Sequence, residues 1–353
     1  MTKKVIYGIQ QVGVGVANVS EAFKWYGKNL CSNILVFDDD NTATHMAPYM
    51  GGEPHKKRAI LAINMRGGSG YELWQYLDRT PVASQNSIKM GDLGIFTVSV
   101  KSKNIQHSFS TLKANDVNIL SDIEHAPDGT PYFFIKDNEG NIIQIIEYSS
   151  WYSENKSHVG GVCGCMIGVS DIERAMALYS DVLGYDKIIY DETGVFDDFK
   201  TLPGGQEKIR RVLLEHSEMR VGGLSLLFGK SHIELVQVLE REPVKIFADR
   251  YWGDLGYIHL CFDVRGMHAL KKECADKGFP FRVDSENSFQ MGEAAGHWSY
   301  IEDPDGTLIE FVETHKIPIV KKWNWYMNLQ KRDPLKPLPN WMISALGFNK
   351  VKF

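Results

Sequence analysis

The strongest constraint on what this chain can fold into is that it repeats. "IKDNEGNIIQIIE" at residues 135–147 is matched by "IEDPDGTLIEFVE" at 301–313, and "GDLGIFTVSV" at 91–100 by "GDLGYIHLCF" at 253–262. "YELWQYL" at 71–77 is matched by "IELVQVL" at 233–239, and "VGVANVSEAFKWYGKNL" at 14–30 by "IGVSDIERAMALYSDVLGY" at 167–185. The blocks keep one order in both halves, offset by about 150 to 170 residues, which is the spacing of a duplicated domain rather than of a solenoid repeat. A length of 353 residues accommodates two such domains.

Each half divides again. A strand-like run leads to a helix with a capping residue near its start, Ser20 before EAFKWY and Asp171 before IERAMALY. Strand-like runs follow: NILVF, AILAINM and YELWQYL in the first half, and KIIYD, RRVLLE, GLSLLFG and HIELVQVL in the second. After each GDLG block come a further strand, a helix (residues 102–116 and 267–278) and a hairpin at the DNEG or DPDG turn. The pattern is βαβββ four times, an α+β class. It places a first domain at residues 1–148, a linker at 149–161, a second domain at 162–314 and an extension at 315–353.

Composition narrows the partners. A formal net charge of −5 gives no general attraction to nucleic acid or to an anionic membrane, so a small-molecule partner is expected. No apolar run approaches the roughly 18 residues of a spanning helix, and MTKKVIYG enters a strand pattern without an apolar signal segment. Five cysteines, an odd number without paired zinc-type spacing, suit reduced thiols in a cytoplasmic protein. In the extension, "KKWNWYMNLQKRDPLKPLPNWMISALGF" mixes aromatics with Lys and Arg. Pro334, Pro337 and Pro339 forbid one continuous amphipathic helix, so packing across the domains is expected rather than membrane or nucleic-acid binding. "RGGSG" at 66–70 lacks the Lys-Ser/Thr and helix of a phosphate loop, DPDG lacks calcium-loop spacing, and "FDDDN" at 37–41 reads as a solvated loop.

One residue resists a purely structural reading. Along 308–312 the side chains alternate, and both faces are apolar except at Glu310. A carboxylate buried there needs a cation, a donor network or a proton. Glu72 and Glu234 sit at matched positions in the two halves, and an ion pair with Arg210, Arg211 or Arg220 could satisfy Glu234.

With "VSDIERAMALY", "VANVSEAFKWY", the "DPDGTLIEF" hairpin and "HLCFDV", the chain resembles the vicinal oxygen chelate superfamily, which holds glyoxalase I, methylmalonyl-CoA epimerase, extradiol dioxygenases and the bleomycin and fosfomycin resistance proteins. The resemblance spans about residues 5–147 and 162–314 and implies paired modules curled into cup-shaped half-barrels. It also implies inward ligands from the first and last strand of each module. These are Gln11 and Glu72 in the first, Thr97 and Gln144 in the second, Gly164 and Glu234 in the third, and His259 and Glu310 in the fourth. If neighbouring modules pair, the second cup holds Glu234, His259 and Glu310 beside a Gly164 that offers no ligand. If the first pairs with the last, Gln11, Glu72, His259 and Glu310 form a full set resembling glutamine-bearing glyoxalase I. Either set suits a divalent zinc, nickel, cobalt, manganese, magnesium or iron ion.

The implied activity is a metal-dependent isomerase, epimerase or lyase acting on a small oxygenated carbonyl compound, with Glu310 or Glu72 as proton carrier. Two rivals stand beside it. A metal-free binding protein of the bleomycin-resistance type would use Trp74 and Tyr76, on the face of Glu72, against a flat ligand. An extradiol dioxygenase resembles a site with two histidines, of which only His259 is present. His232 and His297 are expected near the sites rather than as ligands. Two halves that can pair internally suit a monomer or a homodimer.

Overall fold

The computed structural model describes residues 3–154, 156–286, 289–291, 294–320 and 325–353. The chain is α+β, with two curled half-barrel sheets of ten and nine strands among the described residues. The βαβββ pattern recurs four times. The first module runs from Val5–Gly15 through helix Val19–Asn29 to Gly70–Tyr76, and the second from Gly94–Ser102 through helix Ile105–Ala114 to Ile142–Glu147. The third runs from Val159–Gly168 through helix Ile172–Tyr179 to His232–Val238, and the fourth from Gly256–Arg265 through helix Met267–Asp276 into Leu308–Val320.

The sheet order decides the pairing. In the first sheet, Leu308–Val320, Gly256–Arg265, Val5–Gly15 and Gly70–Tyr76 are successive neighbours, so the last module joins the first. In the second, His232–Val238, Val159–Gly168, Gly94–Ser102 and Ile142–Glu147 are neighbours, so the third joins the second. Each cup therefore draws one module from each half of the sequence. Within each cup the two central strands are antiparallel, and each has the last strand of its own module parallel on its other side.

The repeated Asp hairpins are locks between the cups. Asp137 accepts the Tyr26 hydroxyl at 2.7 Å and its own turn's N–H groups from Glu139 and Asn141. Asp303 does the same for Tyr179 at 2.9 Å, with the N–H groups of Asp305 and Thr307. In both cases a helix packed on one cup is tied to a hairpin closing the other. The outer sheet faces and the helices share one apolar core that includes Val12, Val14, Tyr26, Ile167, Tyr179, Leu260 and Phe311.

Local expectations meet three corrections. The first helix is capped by Asn18, whose extended backbone lets its side chain accept from Ser20 and Glu21 N–H. Ser20 lies inside the helix, and its hydroxyl accepts from Arg58 instead. "FDDDN" belongs to the strand Ile34–Thr42, where Asp38 is held by Arg58 and Asp39 by Lys57. Within "GLSLLFG", the segment Ser225–Phe228 is a short helix, because Gly222, Gly223 and Gly229 adopt positive φ and turn the chain at both ends.

The C-terminal segment straps onto the cups. Leu308–Val320 continues past residue 314 and pairs with Trp325–Asn328. Pro339 precedes the helix Asn340–Ala345, and Leu338, Ile343 and Leu346 are buried with Ile34 and Ile63. All five cysteines carry free thiols, and no helix among the described residues is long and apolar enough to cross a membrane.

Candidate metal centre

Four adjacent strands of the first sheet bring four side chains to one point inside the cup. Gln11, Glu72, His259 and Glu310 are each nine-tenths or more buried. Gln11 Nε2 donates to Glu72 Oε2 at 3.1 Å. His259 Nε2 lies 3.1 Å from Glu310 Oε2 and 3.4 Å from Glu72 Oε2. One ligand-type atom each from Glu72, His259 and Glu310 falls within a 4.8 Å cluster. Yet Gln11 Oε1, His259 Nε2 and Glu310 Oε2 are buried without a hydrogen-bond partner of acceptable geometry. The imidazole therefore meets the two carboxylates as close charge contacts rather than as well-aligned hydrogen bonds.

The spacing fits an ion. Ligand atoms about 2.1 Å from one metal stand about 3.0 Å apart in octahedral geometry and about 3.4 Å apart in tetrahedral geometry. The contacts of 3.1 and 3.4 Å fall within that range. Burial on its own lowers the affinity of His259 for a proton, but Glu310 and Glu72 reverse this and raise its pKa to about 9. The two carboxylates thus hold a cation at this spot even when it is only the imidazolium proton, and ligation needs that proton gone.

The geometry depends on residues that sequence reasoning passed over. Gly13 lies opposite His259 and beside Glu72. A Cβ at Gly13 would sit 2.3 Å from His259 Cε1, so only glycine leaves the imidazole room to lie across the strand. The Tyr300 hydroxyl is 3.4 Å from His259 Nδ1, on a strand residue directly opposite Glu310. The Trp252 ring lies parallel to the imidazole within 13° at 6.1 Å, and Trp74 packs edge-on against Trp252 at 4.8 Å. The only sequence signal was Gly13 itself, whose counterpart in the second half is Met166. Trp74 and Tyr76 do share the face of Glu72, but both are buried, with the Tyr76 hydroxyl donating to the Trp252 carbonyl.

The second cup is built otherwise. Glu234 lies in the other sheet from His259 and Glu310, so the alternative cluster of Glu234, His259 and Glu310 does not assemble. Instead Glu234 accepts from Arg211 Nε at 2.6 Å and from the Tyr190 hydroxyl at 2.9 Å. Of the three candidate arginines, Arg210 is taken by Asp191 and Glu173, and Arg220 donates to a backbone carbonyl. Gln144 Oε1 accepts from Ser99, Thr97 Oγ1 is buried without a partner, and Gly164 lies under the His232 imidazole. His232 Nε2 contacts Ser99 Oγ at 3.1 Å, and His297 is held by Asp284. Neither histidine joins the first cluster.

Paired βαβββ modules around inward ligand-type side chains define a vicinal oxygen chelate fold. Residues 165–297 match the family model for the Glyoxalase/Bleomycin resistance protein/Dioxygenase superfamily. Among solved structures the chain is similar to glyoxalase I from Zea mays, at 13% identity over 88% of this chain and 92% of that one, with a TM-score of 0.54. It is likewise similar to a putative dioxygenase from Bacillus subtilis subsp. subtilis str. 168, at 13% identity over 88% and 86%, with a TM-score of 0.58. At such identity the likeness is one of fold. No curated protein matches the chain by sequence.

Proposed function

We propose that the first cup binds one divalent metal ion through Gln11, Glu72, His259 and Glu310, and that the protein is a metal-dependent isomerase, epimerase or lyase for a small oxygenated carbonyl compound. The observation that carries this is the buried cluster in which one ligand-type atom each from Glu72, His259 and Glu310 lies within 4.8 Å of the others, with Gln11 hydrogen-bonded to Glu72. A divalent ion bound there supplies Lewis acidity toward neighbouring substrate oxygens.

The chain's own groups do the rest. Glu310, at the end of the ligand row, is the carboxylate that moves a proton to or from the carbon beside the carbonyl, with Glu72 as the second candidate. Tyr300 holds the imidazole by its Nδ1 side, leaving Nε2 toward the carboxylates. Trp252 and Trp74 wall the site with apolar surface and exclude water, which strengthens every charge interaction inside. The cluster contains a single imidazole, which disfavours the two-histidine arrangement of an extradiol dioxygenase.

The test is elemental analysis of protein purified without a metal-affinity tag, followed by screening of α-ketoaldehydes and acyl-CoA epimers. About one equivalent of metal, lost in Glu310→Gln or His259→Ala, supports the reading. No metal, and none taken up from added nickel, manganese, zinc or iron, overturns it and leaves a ligand-binding protein.

A further inference from the structure

The two cups can be compared position by position through their strand registers. In the first, Glu72 is opposite Leu61 and Leu61 opposite Phe37; in the second, Glu234 is opposite Leu213 and Leu213 opposite Tyr190. Two residues along, Trp74 is opposite Ala59, and Val236 is opposite Arg211. A large-small pair in one cup is thus a small-large pair in the other, and the phenylalanine beside the carboxylate has become a tyrosine. Phe37 and Ala59 offer Glu72 no hydrogen bond. Tyr190 and Arg211 satisfy Glu234.

The Arg211 side chain is completely buried, and each of its three nitrogens has a partner. Nε meets Glu234 at 2.6 Å, Nη1 meets Asp198 at 2.7 Å, and Nη2 donates to the Tyr190 hydroxyl at 3.2 Å. Its carbon lies 3.9 Å over the Phe199 ring. Burying an arginine this way is tolerable because two carboxylates converge on it, each of which also accepts a tyrosine hydroxyl, Glu234 from Tyr190 and Asp198 from Tyr132.

We propose that Arg211 is a built-in cation that satisfies Glu234 in the second cup, as a divalent ion would satisfy its counterpart Glu72 in the first. The second cup is then a latent metal site. Without the guanidinium, buried Glu234 and Tyr190 and half-buried Asp198 present oxygen donors, a set suited to a hard divalent ion such as manganese or magnesium. The comparison with the first cup rests on the metal reading above, whereas the contacts of Arg211 stand without it. One consequence is that the intact chain takes up a single metal ion, in the first cup only.

The experiment uses full-length protein with the first cup disabled by His259→Ala, probed with manganese or zinc alone. His259→Ala is expected to bind no metal. Adding Arg211→Ala is expected to create about one equivalent of binding and a rise in Tm with added manganese, both abolished by further adding Glu234→Gln. The proposal is overturned if His259→Ala retains a metal that Glu234→Gln removes while Arg211 is intact. It is also overturned if the soluble His259→Ala/Arg211→Ala protein takes up none. Should Arg211→Ala prove insoluble, its recovery in soluble form by manganese supports the proposal. Failure of that rescue, with Arg211→Met/Glu234→Leu soluble, overturns it. The first-cup reading is judged separately, by the metal content of the wild type.

Discussion

A single methyl group placed at Gly13 tests whether the imidazole must lie where it does. The Cβ of Gly13→Ala would stand 2.3 Å from His259 Cε1, against the 3.4 Å at which ordinary contact begins, so the ring must retreat by about 1.1 Å. It has little room to do so. Tyr300 stands edge-on to it at 5.5 Å, and Trp252 lies parallel at 6.1 Å. Metal–ligand distances tolerate only about 0.2 Å, so a retreat of that size removes Nε2 from the ligand set. The expected result is a loss of metal affinity of at least about 10²-fold, with an overpacking cost of about 1–3 kcal/mol in stability. Calorimetric titration of zinc or manganese into Gly13→Ala reads the first, and chemical unfolding of the metal-free protein reads the second. The double variant Gly13→Ala/His259→Ala separates the causes, because a methyl with no imidazole to strike recovers most of the lost stability. A Gly13→Ala protein that binds metal as tightly as the wild type would refute the role given to this glycine.

Further expectations concern neighbouring groups. Glu310→Gln keeps nearly the same shape and should fold, yet lower any proton-transfer rate by about 10² to 10⁴-fold in a steady-state assay. Tyr300→Phe leaves His259 Nδ1 without its partner and should weaken metal binding by about tenfold, measured by competition with a chromophoric chelator. Phe37→Tyr imports the hydroxyl that holds Glu234 in the other cup, and should weaken metal binding without unfolding the protein, as read by the same titration. Burial raises the pKa of Asp263 from 3.8 to about 8. The folded carboxyl keeps a proton that the unfolded chain has lost, so this group removes stability as pH climbs from about 4 to 8, at up to about 1.4 kcal/mol per pH unit. Asp263→Asn abolishes that slope, and urea unfolding at several pH values should show its advantage over the wild type growing with pH. An advantage that does not change with pH would show that Asp263 is ionised in the fold.

Which parts of this were legible in the sequence follows from the range of the interactions. The βαβββ modules were legible because strand alternation and helix caps are local signals, as at Asp171, which accepts from Arg174 N–H. The buried carboxylate at Glu310 stood out because its neighbours Ile309 and Phe311 are apolar and fully buried. The pairing of modules was not legible, since both arrangements use the same local pattern. It is decided by the register of Val5–Gly15 against Gly256–Arg265, a contact between opposite ends of the chain. Gly13 was equally hidden, because a glycine in a strand announces a close approach without saying from what. For Glu234, charge type narrowed the partner to three arginines, and only the register of Ile209–Glu215 against His232–Val238 chose Arg211.

The order in which the modules meet also sets an order of assembly. The second cup joins the middle two modules, so it can close as soon as His232–Val238 is made, from elements adjacent in the chain. The first cup needs Val5–Gly15 to wait for Gly256–Arg265, a long-range closure of the slow kind. During synthesis the amino-terminal module therefore stands open beside a finished neighbour, its apolar sheet edge dependent on that neighbour for cover. An arginine suits the early cup, since its cation arrives with the polypeptide itself. The late cup closes only once the whole chain is present. Cutting between the two sequence halves would leave neither fragment with a complete cup.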